Sequence, residues 1–219
     1  AQPRSRGLGD VYKRQEKGSI AFLTGPSGAG KSTVLKLIAL IERPSRGTVL
    51  INSQNTSRIR HRRIPYFRRQ IGTIFQDHKL LYDRTVFDNV ALPLVIARLQ
   101  RREIARRVRA SLDQVGLLRH EQQLPLGLSA GEQQRVGIAR AVASRPELVI
   151  ADEPTGNLDP ALSLEIMQLF MRFNEVGVTV LIATHDLKLI DRLGQNQFKL
   201  LDGKLMNGPD NSLGIVTQA

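Results

Sequence analysis

Cysteine and tryptophan are absent from this 219-residue chain, and aromatic residues make up only 5% of it. Without cysteine there is no disulfide framework, no thiol nucleophile and no Cys-based zinc site. That absence fits a reducing, cytoplasmic setting. Long apolar runs are also missing. The longest, Ala91–Ala97 and Val178–Ala183, fall far short of the roughly 18 residues that suggest a membrane span. The N-terminus has no apolar segment of the secretory type. The expectation is a chain that does not cross a membrane by itself. Acidic residues are the last shortage: 20 Asp and Glu against 32 Lys and Arg leave a net charge of +12. Such an excess is attracted to nucleic acid, anionic lipid or an acidic partner, and says nothing about fold. What is present is ordinary for a globular protein, with 41% hydrophobic and 24% charged residues. This composition excludes a mostly disordered chain, a collagen and a coiled coil.

Residues 1–16 form a polar, basic stretch without periodicity, read as an atypical segment, disordered or non-native, and expected to make few apolar contacts. From Gly18 the pattern changes. Ile20–Thr24 is a short apolar run ending in a glycine-rich turn, and Ser32–Leu40 reads as a helix. Strand, tight loop and helix open an α/β unit. Thr48–Ile51 and Thr73–Phe75 are further short strands, separated by an Arg-rich loop or short helix at Arg58–Arg69. The middle is helical. Thr85 can cap a helix through Ala97. Arg101–Val115 carries Ile104, Val108, Leu112 and Val115 on one face and Arg on the other, an amphipathic pattern that stops at Gly116. Ala130–Ser144 is a third helix. The α/β alternation then resumes: strand Leu148–Ala151, helix Leu162–Phe173, strand Val178–Ala183, helix Leu187–Leu193. A hairpin turning at Asp202-Gly203 ends the pattern. The expected architecture is an α/β core interrupted by a helical insert at about residues 77–146.

Gly25-Pro26-Ser27-Gly28-Ala29-Gly30-Lys31-Ser32 matches the phosphate-loop pattern G-x-x-x-x-G-K-[ST] in full, and Thr33 comes next. Its context, after a strand and before a helix, is the one in which the pattern has physical meaning. Glycines let backbone N–H groups converge on a phosphate, and the helix N-terminus adds the positive end of its dipole. Lys31 would reach the β- and γ-phosphates, and the Ser32 hydroxyl would ligate Mg²⁺. The apolar strand Leu148–Ala151 delivers two carboxylates, Asp152 and Glu153. An Asp in that place holds Mg²⁺ in phosphoryl-transfer sites. Glu153 would orient or deprotonate the attacking water. Phosphate loop and acidic pair together indicate a hydrolase.

Leu128-Ser129-Ala130-Gly131-Glu132-Gln133 lies between them, with Ser129 104 residues after Gly25 and 23 before Asp152. By itself this segment reads as a helix start with a capping box between Ser129 and Glu132. With its neighbours it resembles the LSGGQ signature of ATP-binding-cassette (ABC) ATPases, with Ala130 in place of the usual first glycine. Gln76, after the strand Thr73–Phe75, resembles the glutamine of that family's Q-loop. Gly156-Asn157-Leu158-Asp159 resembles its D-loop, and His185 its switch histidine. The likeness covers about residues 17–205 and is nearest to the family's bacterial cell-division branch. Asp77-His78 after the Q-loop favours that branch over the lipoprotein-release and macrolide-export ATPases. Residues 1–16 do not resemble the family's first strand, and Tyr12 lies closer to Gly25 than the adenine-stacking aromatic usually does. His61, His78 and His120 match no motif and are read as solvent-exposed.

The resemblance implies a P-loop (RecA-like) α/β ABC ATPase core with a small β subdomain and an inserted helical subdomain. Residues 17–76 and 147–219 would form the nucleotide-binding core and 77–146 the helical part. It implies hydrolysis of ATP with Mg²⁺ held by Ser32, Gln76 and Asp152, and catalysis by Glu153 and His185. It implies a homodimer with composite sites, Ser129, Gly131, Glu132 and Asp159 meeting the nucleotide of the other copy. It also implies a permease-like integral membrane partner at the cytoplasmic face of the bacterial inner membrane. An ATP-gated scaffold with slow hydrolysis is the alternative of another class. A nucleic-acid-binding ABC protein is disfavoured, because the chain has no added nucleic-acid module. Its arginine clusters read as solvated faces near anionic lipid.

Overall fold

The computed structural model describes residues 12–13, 15, 17–52, 54–194, 196–206 and 215–216. In chain order the strands are β1 (Tyr12–Lys13), β2 (Ile20–Thr24), β3 (Leu50–Ile51), β4 (Gln54–Asn55), β5 (Ile71–Ile74), β6 (Leu148–Asp152), β7 (Thr179–Ala183), β8 (Asn196–Leu201), β9 (Lys204–Leu205) and β10 (Ile215–Val216). The helices are α1 (Lys31–Ile38), α2 (Ile64–Arg68), α3 (Val86–Ile96), α4 (Arg101–Gln114), α5 (Ala130–Val142), α6 (Pro160–Glu175) and α7 (Leu187–Leu193).

The main sheet has the order β5-β6-β7-β2-β8-β9. All neighbours are parallel except the terminal pair β8–β9. Both faces of its centre are covered, which explains why these strands are apolar without alternation. On one face Ile20, Phe22, Val149, Ala151, Val180 and Ile182 join a core with α3–α6. On the other Ala21, Leu23, Ile150, Leu181 and Ala183 pack with residues of α1 and α2. The helical insert therefore shares one continuous core with the sheet.

Local chemistry sets the element ends. Thr85 caps α3 by accepting from the Asp88 N–H at 3.1 Å. Asn89, fully buried, donates to the carbonyls of Leu81, Arg84 and Thr85 and accepts from the Leu81 N–H. The loop before α3 is thus fastened by one side chain. Helix α6 starts two residues earlier than the periodicity predicts, because Asp159 accepts from the N–H groups of Ala161 and Leu162 and Pro160 suits the first helical position. The observed strand β5 likewise begins earlier than predicted, where Ile71 pairs with Leu148.

In the segment before residue 17 only Tyr12, Lys13 and Gln15 are described. Tyr12–Lys13 pairs antiparallel with Ile215–Val216. The Gln15 amide donates to the Val180 carbonyl at 2.8 Å and to that of Ser19 at 3.3 Å. Polar bonds to the backbone, which leave no hydrophobic pattern, tie this stretch to the fold. Residues 1–11, 14 and 16 lie outside the described residues. Among those described, no helix is long and apolar enough to cross a membrane.

Candidate active site

Four neighbouring parallel strands end on one edge of the sheet. Their registers align Leu23 with Ala183, Asp152 with Ala183 and Ile74 with Ala151. The residues just beyond these ends are the phosphate loop after β2, Gln76 after β5, Glu153 after β6 and His185 after β7. Segments 127 residues apart in sequence (Pro26 and Glu153) therefore meet in space. Ligands bind at this carboxyl edge in open α/β sheets. A cleft of about 610 Å³ opens there, lined by Pro26, Ser27, Gly28, Gly30, Lys31, Ser32, Thr33, Gln76, Glu153, Gly156 and His185.

The loop's backbone is committed to its path. Gly25 has φ +154°, and a Cβ there would lie 2.2 Å from the Leu200 carbonyl oxygen. Ala29, buried, donates its N–H to the Pro26 carbonyl. Gly30 is the N-cap of α1 and offers no side-chain cap. The first-turn N–H groups of α1 are left without a side-chain acceptor, which suits a phosphate. Gly25→Ala should cost about 3 kcal/mol, because the methyl group meets backbone rather than a movable side chain. The expected drop in melting temperature is roughly 6–12 °C. A melting curve matching that of wild type would show that the loop and β8 can separate freely.

Lys31 is buried, and its Nζ donates to the carbonyls of Gly25 at 2.8 Å and Pro26 at 3.2 Å. It lies 3.6 Å from Glu153 Oε1. The other oxygen, Oε2, is 2.9 Å from His185 Nδ1. A carboxylate only accepts, so Nδ1 carries the hydrogen and Nε2 is left for a ligand. Glu153 thus links the phosphate-loop lysine to the histidine of β7's end. Its backbone has φ +47°, in the left-handed region. Non-glycine residues held there cost about 1–3 kcal/mol and concentrate at functional sites. Bonds from the Glu153 N–H to the Ala183 carbonyl and from the Gly156 N–H to the Glu153 carbonyl hold it so.

The residues expected around Mg²⁺ fit such an ion. Asp152 Oδ1 is buried and has no hydrogen-bond partner. Mg²⁺ prefers one or two carboxylates plus waters and substrate phosphates to an all-protein cage. The described residues hold no group of three or more His, Cys, Asp or Glu that could bind a metal. Ser32 and Gln76 line the cleft, and Asp152, which does not, is the last residue of β6, next to Glu153.

The structure does not bring the remaining predicted residues into this cleft. Ser129 and Ala130 are exposed at the start of α5. Ser129 accepts from the Glu132 N–H, while Glu132 Oε2 accepts from the Ser129 N–H at 2.8 Å and hydroxyl at 2.7 Å. These bonds form the capping box and hold the Glu132 carboxyl below its ordinary pKa. Gly131 is buried against α6, where a Cβ would lie 2.3 Å from Leu162 Cδ2. Asp159 caps that same helix through Ala161 and Leu162. The signature-like and D-loop-like segments therefore meet at α6, and Ser129, Gly131, Glu132 and Asp159 do not line the cleft.

Sequence reasoning missed Arg140. From α5 it donates to the carbonyls of His78 at 2.5 Å and Lys79 at 2.7 Å, both residues having positive φ. It clasps the turn after Gln76. The available signal was an arginine inside the otherwise apolar run Val136–Val142. His78 is expected from the sequence to be exposed, but this turn half-buries it. Burial pushes its imidazole pKa below the ordinary value. His120 is also half-buried, with Nδ1 3.0 Å from Gln123 Oε1, whereas His61 is exposed as expected.

This cleft and the segments around it are those of an ATP-binding cassette, and the chain belongs to the ABC transporter family, whose model matches residues 8–156. It is an ATP-binding, ATP-hydrolysing subunit of that family, working with Mg²⁺. More particularly, it is similar to the cell division ATP-binding protein FtsE. The Escherichia coli (strain K12) protein is 57% identical over 92% of this chain and 90% of its own. That of Mycobacterium tuberculosis is 45% identical over 95% and 90%. Among solved structures, the ATP-binding cassette MJ0796, a dimer in a post-hydrolysis state bound to ADP and Pi, is similar with a TM-score of 0.80. It is 36% identical, covering 88% of this chain and 85% of that one.

Proposed function

We propose that this chain is the ATPase of a bacterial cell-division complex, acting as a homodimer on an FtsX-like integral membrane protein at the cytoplasmic face of the inner membrane. The observation that carries the catalytic part is Glu153, whose two oxygens engage Lys31 and His185 inside the phosphate-loop cleft. The likeness to FtsE supports the cellular part.

In this reading residues 17–76 and 147–219 are the nucleotide-binding core and 77–146 the helical part. Lys31 and the first-turn N–H groups of α1 bind the β- and γ-phosphates. Ser32, Gln76 and Asp152 hold Mg²⁺, which when bound neutralises charge on the phosphate oxygens. Glu153 accepts the proton of the attacking water, and His185 contacts the γ-phosphate through Nε2. Ser129 and Gly131, which do not line their own cleft, complete the site of a second copy together with Glu132 and Asp159. Arg140 holds the turn after Gln76 to α5, so movement at Gln76 reaches the helix that begins at Ser129.

Co-expression with an FtsX-like integral membrane protein tests the cellular reading. The chain should co-purify with that protein from solubilised membranes, and ATP turnover should respond to its presence. Stable capture by a lipoprotein-release permease instead would overturn the cell-division assignment.

A further inference from the structure

We propose that the arginine-rich rim formed by the approach to α2 and the start of α4 binds the surface of an anionic bilayer directly. The two stretches, far apart in sequence, meet at one point. The Arg69 guanidinium lies 4.8 Å from the centre of the Tyr66 ring and donates to the Ile96 carbonyl at 3.1 Å. Arg58, Arg60, Arg62 and Arg63 precede Tyr66 and Arg69 in the chain, and Arg98, Arg101 and Arg102 follow Ile96. All seven are close to this meeting point along the chain and exposed.

These charges are not spent within the protein. Residues 58–69 contain six arginines and no acid. In residues 96–109 the one acid is Glu103. Arg106 and Arg107 occupy its oxygens and hold its carboxyl down to about 2. Arg109 pairs with Glu121. None of the seven rim arginines has an ion-pair partner among the described residues. By contrast Arg43 and Arg68 are tied to backbone carbonyls and hold the rim's base in place.

Exposed apolar groups between the two clusters decide the partner class. Tyr66, Val95 and Ile96 are 58%, 55% and 59% exposed. Cations flanking a small aliphatic and aromatic patch suit a headgroup layer over acyl chains. Nucleic-acid interfaces are more polar, and aliphatic side chains gain little on a phosphate backbone. This inference does not depend on the permease partner, and protein-free vesicles test it separately.

The experiment is sedimentation of the full chain with vesicles of phosphatidylglycerol and phosphatidylcholine at 3:7, against phosphatidylcholine alone. Binding should require the anionic lipid and fall steeply as salt rises. Each arginine near the surface should contribute about fivefold. Arg60, Arg62, Arg98 and Arg101 changed together to Gln should therefore lose at least about 100-fold, with basal ATP turnover unchanged. The same four changed to Lys should stay within about fivefold of wild type, since the charge is kept. If the quadruple Gln variant fails to fold, the pairs Arg60/Arg62→Gln and Arg98/Arg101→Gln, each expected at about 25-fold, decide the question. Three results would overturn the proposal. One is equal binding to neutral vesicles, or none to anionic ones. Another is a Gln variant that binds like wild type. The last is tighter binding to a short duplex DNA that competes the vesicles away.

Discussion

Lys31→Ala is expected to abolish measurable ATP turnover and weaken ATP binding by at least about tenfold. The lysine is the one point charge set among the backbone donors of the phosphate loop, and a charged hydrogen bond of this kind is worth about 1.5–3 kcal/mol. Its loss also acts on the cleft itself. Glu153, only 13% exposed at its side chain, would keep His185 as its partner but lose the nearby ammonium. A nearly buried carboxylate without its cation is costly. The variant should therefore melt earlier than wild type, unlike a substitution that affects nucleotide contact alone. Calorimetric titration with ATP and Mg²⁺, together with a melting curve, checks both parts. Wild-type affinity would remove Lys31 from the site, and an unchanged melting temperature would show that its pairing with Glu153 adds nothing.

The parts of this site that are legible in the sequence are those encoded by local pattern. Gly25–Thr33 is a contiguous loop between a strand and a helix, so its motif and its geometry coincide. Strands β2, β6 and β7 are buried on both faces, and their apolar runs are visible without any partner. Asp152 and Glu153 come directly after one such run, so their position at the sheet edge can be inferred. What cannot be read depends on contacts across the fold. The positive φ of Glu153 is held by a bond to Ala183, thirty residues away. Arg140 meets His78 and Lys79 only because α5 packs beside β5. Its role is tertiary, and a single helix wheel shows it only as a charge on the wrong face. Gln15 reaches the sheet through backbone carbonyls, which no residue pattern announces. The early start of α6 is different in kind. Asp159-Pro160 is a helix-start signal in the sequence itself, and apolar periodicity, which begins at Leu162, does not register it.

Glu153→Gln carries the other large effect, and its direction separates binding from chemistry. Glu153 has both oxygens engaged, one by Lys31 and the other by His185. In the proposed mechanism a bound γ-phosphate would compete for the same two groups. If Glu153 is the base, drawing Lys31 and His185 toward the phosphate would free the carboxylate to accept a proton from water, and the base would become available only when substrate is present. The amide of the Gln variant fills the same volume and can still accept from His185 Nδ1. It cannot hold Lys31 as an ion pair, nor take the water's proton. Turnover should fall by about 10²–10⁴-fold, the usual contribution of a positioned general base. Affinity for ATP should hold or rise, because Lys31 no longer has to leave a carboxylate to meet the phosphates. With hydrolysis blocked and binding intact, the ATP-bound dimer should accumulate and elute as such in size-exclusion chromatography with ATP and Mg²⁺. A variant that hydrolyses at the wild-type rate would show that another group activates the water. A variant that stops hydrolysing but binds ATP more weakly would show that Glu153 supports the phosphate loop rather than competing with the nucleotide for its lysine.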